Sequence, residues 1–307
     1  MTKVFIDGSA GTTGLRIRER LEGREDLSLI TLPEELRKDP AARKDALDTA
    51  DIAFLCLPDA AAVEAVSLVS SPDTVIIDTS TAHRTSDAWA YGFPELAGQR
   101  EKIAASKRIA NPGCHASGFI ALVAPLVSAG LIAPDARLSC FSLTGYSGGG
   151  KKMIADYESP DRDPLLDAPR QYGLGQAHKH LPEMAKVCGL ENAPVFCPIV
   201  APYYAGMEVT VSLTCADTSA SPEQIREVYR DYYRAGLIAL KEQADESGFL
   251  SASAYAGRDD MEVAVFGNGD RILLVSRFDN LGKGASGAAI QNMNLVLGLD
   301  EGTGLVR

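Results

Sequence analysis

One cysteine of this 307-residue chain stands where a thiol could act as a nucleophile. Cys114 follows Asn111-Pro112-Gly113 and precedes an apolar stretch that predicts a long helix over residues 115–132. A helix dipole lowers the pKa of a thiol at its N-terminus and makes it more nucleophilic. Four of the other five cysteines lie in or beside predicted strands: Cys56, Cys140, Cys197 and Cys215. Cys114 is therefore the candidate nucleophile.

A histidine pair supplies the candidate acid/base. His178 and His180 are two of only four histidines in the chain. The base for a cysteine nucleophile is commonly a histidine that a further group orients. His180 and Glu183 are spaced to meet on one helical turn. We expect His180 to be the acid/base, Glu183 to orient it, and His178 to help bind substrate.

The two histidines could also have a structural role or bind a metal. The pair could be a polar surface turn, and a metal site would need a third ligand that the sequence does not offer. No CxxC pair occurs either, so we expect no metal. His115 has no visible partner, so it is interpreted as an ordinary helix-start residue, and it is the next candidate base if the pair is structural.

A glycine-rich turn near the N-terminus indicates a dinucleotide. It follows a strand at residues 4–6 and opens a helix at residues 12–21. Glycines let the backbone approach a pyrophosphate, and the helix N-terminus offers free N–H groups. A tight turn without a ligand is the alternative. The candidate cofactor-binding residues are Gly8, Ser9, Ala10, Gly11, Thr12, Thr13 and Gly14.

The cations after the second strand favour NADP over NAD. NAD enzymes usually place an acidic residue near the end of that strand, and residues 28–33 contain none. Arg37, Lys38 and Arg43 follow instead, as a 2′-phosphate would require. A solvated helix face is an equally simple explanation for these cations.

Other polar segments are candidates for binding an anionic substrate. Residues 144–151 predict a flexible loop whose N–H groups and lysine suit a phosphate or carboxylate, although a solvent-exposed hinge is the alternative. Arg84 follows the carboxyl end of a strand, where such sheets bind ligands. The substrate-binding candidates are Arg84, Asn111, Ser147, Gly148 and Lys151.

The chain has two regions with different sequence patterns. Residues 1–113 alternate short apolar strands with helices, which predicts a doubly wound parallel sheet of the Rossmann type. Residues 114–284 contain longer strands and a hairpin signal at 267–270, which predicts an α+β domain with a mixed or antiparallel sheet. We expect this second domain to carry catalysis, substrate binding and oligomerisation. We expect residues 285–307 to pack back on the first domain.

Composition limits the class of protein. A net charge of −11 disfavours nucleic acid and anionic membranes as partners. No secretory signal and no apolar run of ~18 residues is visible. The cysteines are scattered, so a reducing cytoplasmic setting is expected.

The motifs together resemble the short-form (type 2) N-acetyl-gamma-glutamyl-phosphate reductase family of the semialdehyde dehydrogenase superfamily. The resemblance covers nearly the whole chain through GSAGTTG (8–14), IDTSTAHR (77–84), YGFPEL (91–96), NPGCHAS (111–117), GYSGGGK (145–151), HKHLPE (178–183) and KGASGAAIQNMN (283–294).

This resemblance implies reduction of N-acetyl-glutamyl 5-phosphate to the semialdehyde with NADPH, in arginine biosynthesis. It implies a thioester on Cys114, acid/base work by the histidines, and a homo-oligomer, either dimer or tetramer. It also implies that the segment from Gly284 to Asn292 contributes to the nicotinamide site.

Three rival functions remain open at this point. Another acyl-phosphate reductase, such as aspartate-semialdehyde dehydrogenase, differs only in the acyl group. A regulatory NADP-binding protein would not need Cys114 beside a histidine pair. A cysteine hydrolase would need no dinucleotide turn.

Overall fold

The computed structural model describes residues 1–307. The chain divides into two compact units, a first unit of residues 1–112 with 285–305 and a second unit of residues 113–284 with 306–307. The predicted fold class is confirmed, because the first unit carries a parallel sheet and the second a mixed one. No helix combines the length and apolar character that a membrane span requires.

Thirteen strands and nine α-helices make up the two units. The strands are β1 (Thr2–Asp7), β2 (Leu27–Ile30), β3 (Ile52–Leu55), β4 (Val75–Asp78), β5 (Ala90–Tyr91), β6 (Arg108–Ala110), β7 (Ser139–Gly145), β8 (Arg170–Gln171), β9 (Val195–Ala201), β10 (Met207–Thr214), β11 (Ile238–Leu240), β12 (Met261–Gly267) and β13 (Arg271–Phe278). The helices are α1 (Thr12–Leu21), α2 (Pro40–Thr49), α3 (Asp59–Leu68), α4 (Gln99–Ala104), α5 (Cys114–Ser128), α6 (Gly150–Glu158), α7 (Leu181–Cys188), α8 (Pro222–Tyr232) and α9 (Gly287–Val296).

The first unit is a six-stranded parallel sheet in the order β2-β1-β3-β4-β6-β5. Strands β3 and β4 are buried along their whole length, as their near-continuous apolar sequence predicts. Alternate residues feed two cores: Phe54 and Ile77 pack with α9, while Ala53 and Ile76 face the other side. The C-terminal helix therefore packs on the sheet of this unit, and it closes one face of the dinucleotide-type fold.

The second unit is a seven-stranded mixed sheet in the order β11-β12-β13-β10-β7-β9-β8. Helix α5 packs against β10 and β13 and contacts α7 and α8. The predicted hairpin is confirmed as β12 and β13. Helix α8 begins with a capping box, because Ser221 Oγ accepts from the Gln224 N–H and Gln224 Oε1 accepts from the Ser221 N–H.

The prediction of a flexible loop over residues 144–151 is wrong. Residues 144–145 end β7, Tyr146–Gly149 form a 3₁₀ turn, and α6 begins at Gly150. Two forces order this turn. The N–H groups of residues 145–147 donate to carbonyls of residues 203–206, at 2.9 to 3.0 Å. The ring of Tyr146 stacks on Tyr157 with centroids 4.7 Å apart.

Candidate active site

Cys114 is the first residue of α5, and Gly113 is its N-cap. The helix behind it is buried from His115 to Leu126, while the thiol residue itself is half-buried. Burial raises the pKa of Cys56 to about 12 and also raises those of Cys140 and Cys188. Cys114 is the only cysteine of the chain at a helix N-terminus, which is the placement that activates a thiol.

Gly284 lies against Cys114. A Cβ at position 284 would sit 2.9 Å from Cys114 Cβ and 3.1 Å from the Asp279 carbonyl oxygen. No larger residue fits there without displacing the cysteine. Gly284 thus shapes the space around the thiol, and its expected contact with the nicotinamide stays a prediction.

Three histidines cluster in the second unit. The rings of His178 and His180 have centroids 4.7 Å apart, and the His115 ring lies 5.6 Å from each. His178 is half-buried, His180 is buried, and His178 Nδ1 accepts a hydrogen bond from the His180 N–H at 3.2 Å. Burial lowers the pKa of His178, and the neighbouring Lys179 lowers it further.

His115 is not the partnerless helix-start residue expected from the sequence. Its Nδ1 lies 2.7 Å from Ser142 Oγ and its Nε2 lies 2.6 Å from Tyr172 Oη. Burial, with a smaller effect from His178, lowers the pKa of His115 to about 3. The imidazole is therefore neutral across the physiological range.

Ser142 and Tyr172 had no signal in the sequence. Ser142 is one alternating residue of β7, and Tyr172 directly follows the two-residue strand β8. They lie 27 and 57 residues from His115 in the chain, so no local motif links the three. Burial raises the pKa of Tyr172, and the nearby Cys114 adds to the rise, which keeps the phenol protonated.

Glu183 is almost fully buried at 1% exposure, on the first turn of α7, and His180 is the N-cap of that helix. The Oε1 atom of Glu183 accepts a hydrogen bond from the Gly113 N–H at 2.9 Å. The carboxylate thereby holds the N-cap residue of the Cys114 helix. This contact was not expected, and the orientation of His180 by Glu183 stays a prediction.

The remaining second-unit candidates lie on the ordered 146–151 segment. Ser147 is buried, and its Oγ accepts from Asn280 Nδ2 at 2.9 Å. Gly148 and Lys151 are exposed. A ligand could therefore reach Gly148 and Lys151 directly, whereas the Ser147 hydroxyl already has a protein partner.

In the first unit, the glycine-rich turn joins β1 to α1. Gly8 has a φ of 86°, and a Cβ there would collide with the Cys56 carbonyl. The hydroxyl of Thr12, at the first position of α1, is buried without a hydrogen-bond partner. A buried orphan hydroxyl at a helix N-terminus fits a phosphate oxygen, so the turn suits a dinucleotide.

A cavity of about 490 Å³ opens beside this turn. Gly8, Ser9 and Ala10 form one wall, and Arg37 and Lys38 lie on its lining. Both cations are exposed. A volume of this size is usual for a small-molecule site.

Arg43 also lines the cavity, but its guanidinium is paired with carboxylates of the protein. It is buried, and its Nη2 lies 2.9 Å from Asp7 Oδ2, while Nη1 lies 3.7 Å from Glu64. Burial nevertheless raises the pKa of Asp7, although Arg43 opposes the rise. Of the three cations singled out in the sequence, Arg43 is therefore neutralised within the protein.

Arg84 and Asn111 belong to one buried network of the first unit. Arg84 Nε donates to the Asn111 carbonyl at 2.9 Å, and its Nη2 donates to the Thr79 carbonyl at 2.8 Å. The Asn292 amide donates to Asn111 Oδ1 at 3.2 Å and to the Gly92 carbonyl at 3.0 Å. Arg84 thus fixes the segment that precedes Cys114, in addition to any contact with a substrate.

Asn292 carries an unused acceptor. Its Oδ1 is buried without a hydrogen-bond partner, although its amide nitrogen is satisfied. A buried amide oxygen of this kind accepts from a ligand or an ordered water. The expected contribution of Asn292 to cofactor binding stays a prediction, and the geometry is compatible with it.

Two protein-family models match the chain. Residues 28–106 match "Semialdehyde dehydrogenase, NAD binding domain", and residues 114–280 match "Semialdehyde dehydrogenase, dimerisation domain". The first match lies within the parallel-sheet unit and supports a nicotinamide dinucleotide as cofactor. The second match coincides with the unit that carries Cys114 and the histidines.

Curated relatives match over almost their full length. A protein named N-acetyl-gamma-glutamyl-phosphate reductase from Burkholderia lata is 46% identical over 303 residues, which cover 96% of each chain. One of the same name from Brucella ovis is 48% identical, covering 96% of this chain and 99% of that one. N-acetyl-gamma-glutamyl-phosphate reductase 2 from a Nostoc species is 44% identical, covering 99% of both.

Solved structures share the fold at lower identity. Aspartate semialdehyde dehydrogenase II from Vibrio cholerae, complexed with ASA, has a TM-score of 0.73 at 18% identity, covering 97% of this chain and 98% of that one. The Candida albicans enzyme with NADP has a TM-score of 0.69 at 15% identity, covering 96% and 99%. These likenesses establish the fold alone.

Proposed function

The chain belongs to the N-acetyl-gamma-glutamyl-phosphate reductases of the semialdehyde dehydrogenase family, and we propose that it reduces N-acetyl-glutamyl 5-phosphate to the semialdehyde with NADPH. The observation that carries the proposal is a half-buried cysteine at the start of a buried helix, in the unit where three histidines cluster. Such a reaction would serve arginine biosynthesis.

The first half of the reaction is acyl transfer to Cys114. The thiol loses its proton to the histidine pair, with His180 as the acting base and His178 beside it. The thiolate attacks the acyl-phosphate carbonyl, the bond to the phosphate oxygen breaks, and a thioester forms. Glu183 keeps Gly113 in place, so the N-terminus of α5 stays directed at the developing oxyanion.

The second half is reduction of the thioester. When bound, the cofactor supplies a hydride to the thioester carbon. The resulting oxyanion collapses to the aldehyde carbonyl as the C–S bond breaks, and the protonated histidine returns its proton to the departing Cys114 sulfur, which restores the thiol. Each histidine proton is thus taken in the first half and given back in the second.

His115 is a poor candidate for the base. Its pKa of about 3 means that it would hold a thiol proton weakly near neutral pH. Its two ring nitrogens already contact Ser142 and Tyr172. The work of His115 is to hold Tyr172 and to pack against the other two rings.

NADPH is favoured over NADH by charge at the cavity. Arg37 and Lys38 line it and are free to meet a 2′-phosphate, whereas no acidic residue lies at the end of β2. Gly8 to Gly14 would hold the pyrophosphate, with the Thr12 hydroxyl as one donor. Gly284 and Asn292 are proposed for the nicotinamide end.

The substrate's anionic groups are proposed to meet Lys151 and the N–H of Gly148, which are exposed on the 146–151 segment. Ser147 supports this turn through Asn280. Arg84 and Asn111 are also proposed for substrate binding: Asn111 lies in the segment that precedes Cys114, and Arg84 hydrogen-bonds its carbonyl.

We also propose that the protein is a homo-oligomer. One face of the second unit's sheet exposes Phe141, Val195 and Leu273, which lie on β7, β9 and β13. The strand registers place all three on the same face. An apolar sheet face suits a second copy of the chain, consistent with the dimerisation domain that residues 114–280 match.

The test compares two substrates. NADPH oxidation is followed with N-acetyl-glutamyl phosphate and, separately, with aspartyl phosphate, because the solved structures of like fold are aspartate-semialdehyde dehydrogenases. We expect kcat/KM to favour the N-acetyl-glutamyl substrate by about 100-fold or more. Preference for aspartyl phosphate would contradict the proposal.

A further inference from the structure

Gln176 adopts a backbone conformation that is rare for its residue type. Its φ is 52°, and Ser247 is the only other non-glycine residue with a positive φ. A side chain in this region carries strain that the surrounding structure must hold. Gln176 is exposed, so burial in the core does not hold it there.

Two hydrogen bonds of the Gln176 side chain, here called the amide pair, hold this backbone conformation instead. The Gln176 amide nitrogen donates to the Phe196 carbonyl at 2.7 Å, and its amide oxygen accepts from the Phe196 N–H at 2.9 Å. This is the pattern that a backbone residue of a neighbouring antiparallel strand makes. One side chain therefore imitates one residue of a strand.

The amide pair lies just beyond the point where the pairing between β8 and β9 ends. Strand β8 pairs with β9 only through Arg170 and Gln171, and the Tyr172 N–H then donates to the Pro198 carbonyl at 3.0 Å. Pro198 has no N–H to return, so the ladder ends. Beyond it, Leu174 between two glycines is 74% exposed and gives the segment no core contact.

Both ends of the amide pair lead to the histidine cluster. The Phe196 ring lies 5.3 Å from the His115 ring and 5.1 Å from the His178 ring, measured between centroids. His178 follows Gln176 by two residues, and its Nδ1 accepts from the His180 N–H. Loss of the amide pair would free the histidine segment and Phe196 from each other.

We propose that Gln176 is a positioning residue whose side-chain amide pins the His178–His180 segment to β9 and so fixes the imidazoles for acid/base work. The turnover part of this inference rests on the proposed function. In this role Gln176 acts through Phe196, which it hydrogen-bonds, and through His178, two residues further along the chain.

Three substitutions separate the amide pair from the backbone strain. Gln176→Leu removes both hydrogen bonds and keeps the strain, whereas Gln176→Gly removes the bonds and also relieves the strain. Gln176→Glu keeps the acceptor for the Phe196 N–H but loses the donor. The matched control is Ser247→Gly, which relieves the same backbone strain in an exposed turn of the same unit.

Displacement of a catalytic group by ~1 Å can cost about 100-fold in rate, so we expect that loss of kcat in both Gln176→Leu and Gln176→Gly. KM should also rise, because His178, which we assign to substrate binding, lies on the freed segment. Gln176→Glu should retain more activity than Gln176→Leu. Ser247→Gly should match the wild type.

The pH dependence of Cys114 alkylation by iodoacetamide gives a readout that needs no substrate. A displaced base should slow alkylation near neutral pH in the Leu and Gly variants and move the profile to higher pH. NADPH binding and Tm, measured alongside, should stay at the Ser247→Gly values.

Three outcomes would overturn the inference. Wild-type kcat in Gln176→Gly would show that the amide pair is not needed. An unchanged alkylation profile in Gln176→Leu would show that the histidines have not moved, and loss of activity only in proportion to a lower Tm would show a purely structural role. If the wild type does not reduce N-acetyl-glutamyl phosphate, the proposed function fails, and the alkylation profile still decides the inference.

Discussion

The dinucleotide turn and the Cys114 site are built from different parts of the chain. The turn uses seven consecutive residues, and its shape depends on the backbone, with Gly8 at a φ of 86°. The Cys114 site uses side chains from four separate segments, brought together by hydrogen bonds such as the buried one from Gly113 to Glu183 and the part-buried one between His115 and Tyr172. The first region is open to a cavity, and much of the second is buried.

This difference teaches that binding and chemistry should be separable. In the proposed function, the backbone turn would bind the cofactor without the histidines, and the thiol site would react with an acyl phosphate before any hydride is supplied. Substitutions in one region should therefore leave the measured property of the other intact. Each prediction below either sharpens this separation or breaks it.

The largest effect is expected for Cys114→Ala. Removal of a catalytic nucleophile costs on the order of 10⁵-fold in kcat or more. Cys114 lies in the second unit, so NADPH affinity, measured by fluorescence titration, should stay close to the wild-type value. Residual activity of more than a few per cent would show that Cys114 is not the nucleophile, and the matched Cys215→Ala variant, at an exposed cysteine, should be fully active.

Replacing each of the two histidines should affect a different kinetic constant, kcat for His180 and KM for His178. General acid–base work contributes about 10²–10⁴-fold, so His180→Ala should lower kcat by that range with little change in KM. His178→Ala should act mainly on KM, as lost uniform binding does. Steady-state kinetics of both variants decide the assignment, and the reverse pattern would make His178 the acid/base.

A smaller effect is expected at the cavity cations. The double variant Arg37→Ala/Lys38→Ala should lower the preference for NADPH over NADH by roughly tenfold, because each exposed ion pair contributes at most about 1 kcal/mol. Cys114 alkylation should be unchanged. Lys102→Ala, an exposed cation of the same unit outside the cavity, is the control. No change in the ratio of kcat/KM values would remove these cations from cofactor recognition.

The smallest effect concerns stability at acid pH. The folded-state pKa of His115, about 3, lies below the usual 6.5. Between these two values the unfolded chain takes up a proton that the folded protein does not, so the contribution of His115 to folding stability is complete above pH 6.5 and is lost as the pH falls towards 3. Lowering the pH from about 7.5 to about 5.5 should cost about 1.4 kcal/mol of unfolding free energy through this residue. Urea unfolding measures it, and His115→Gln should lose less stability over the same interval; an equal loss would contradict the assignment.

The sequence was sufficient for features that are local. The parallel sheet follows from apolar runs such as residues 52–55, and the positions of Cys114 and Gly8 follow from glycine and proline beside a helix start. Each of these depends on residues within a few positions of one another. Their elements could therefore be predicted without knowledge of the tertiary fold.

The features that escaped prediction depend on distant partners. Nothing near Glu183 indicates that its carboxylate accepts from Gly113, 70 residues away. The pairing of Arg43 with Asp7 spans 36 residues and diverts a cation that the sequence offered to the cofactor. The 144–151 loop was misjudged because its order comes from carbonyls of residues 203–206 and from Tyr157.

The central claim is that Cys114 carries the acyl group between two separable half-reactions. The most direct measurement mixes the wild-type protein with N-acetyl-glutamyl phosphate in the absence of NADPH and follows phosphate release and intact mass together. We expect one equivalent of phosphate per site in a burst, and an N-acetyl-glutamyl adduct that maps to Cys114 and disappears when NADPH is added. Phosphate release without an adduct, or an adduct on any other residue, would contradict the claim.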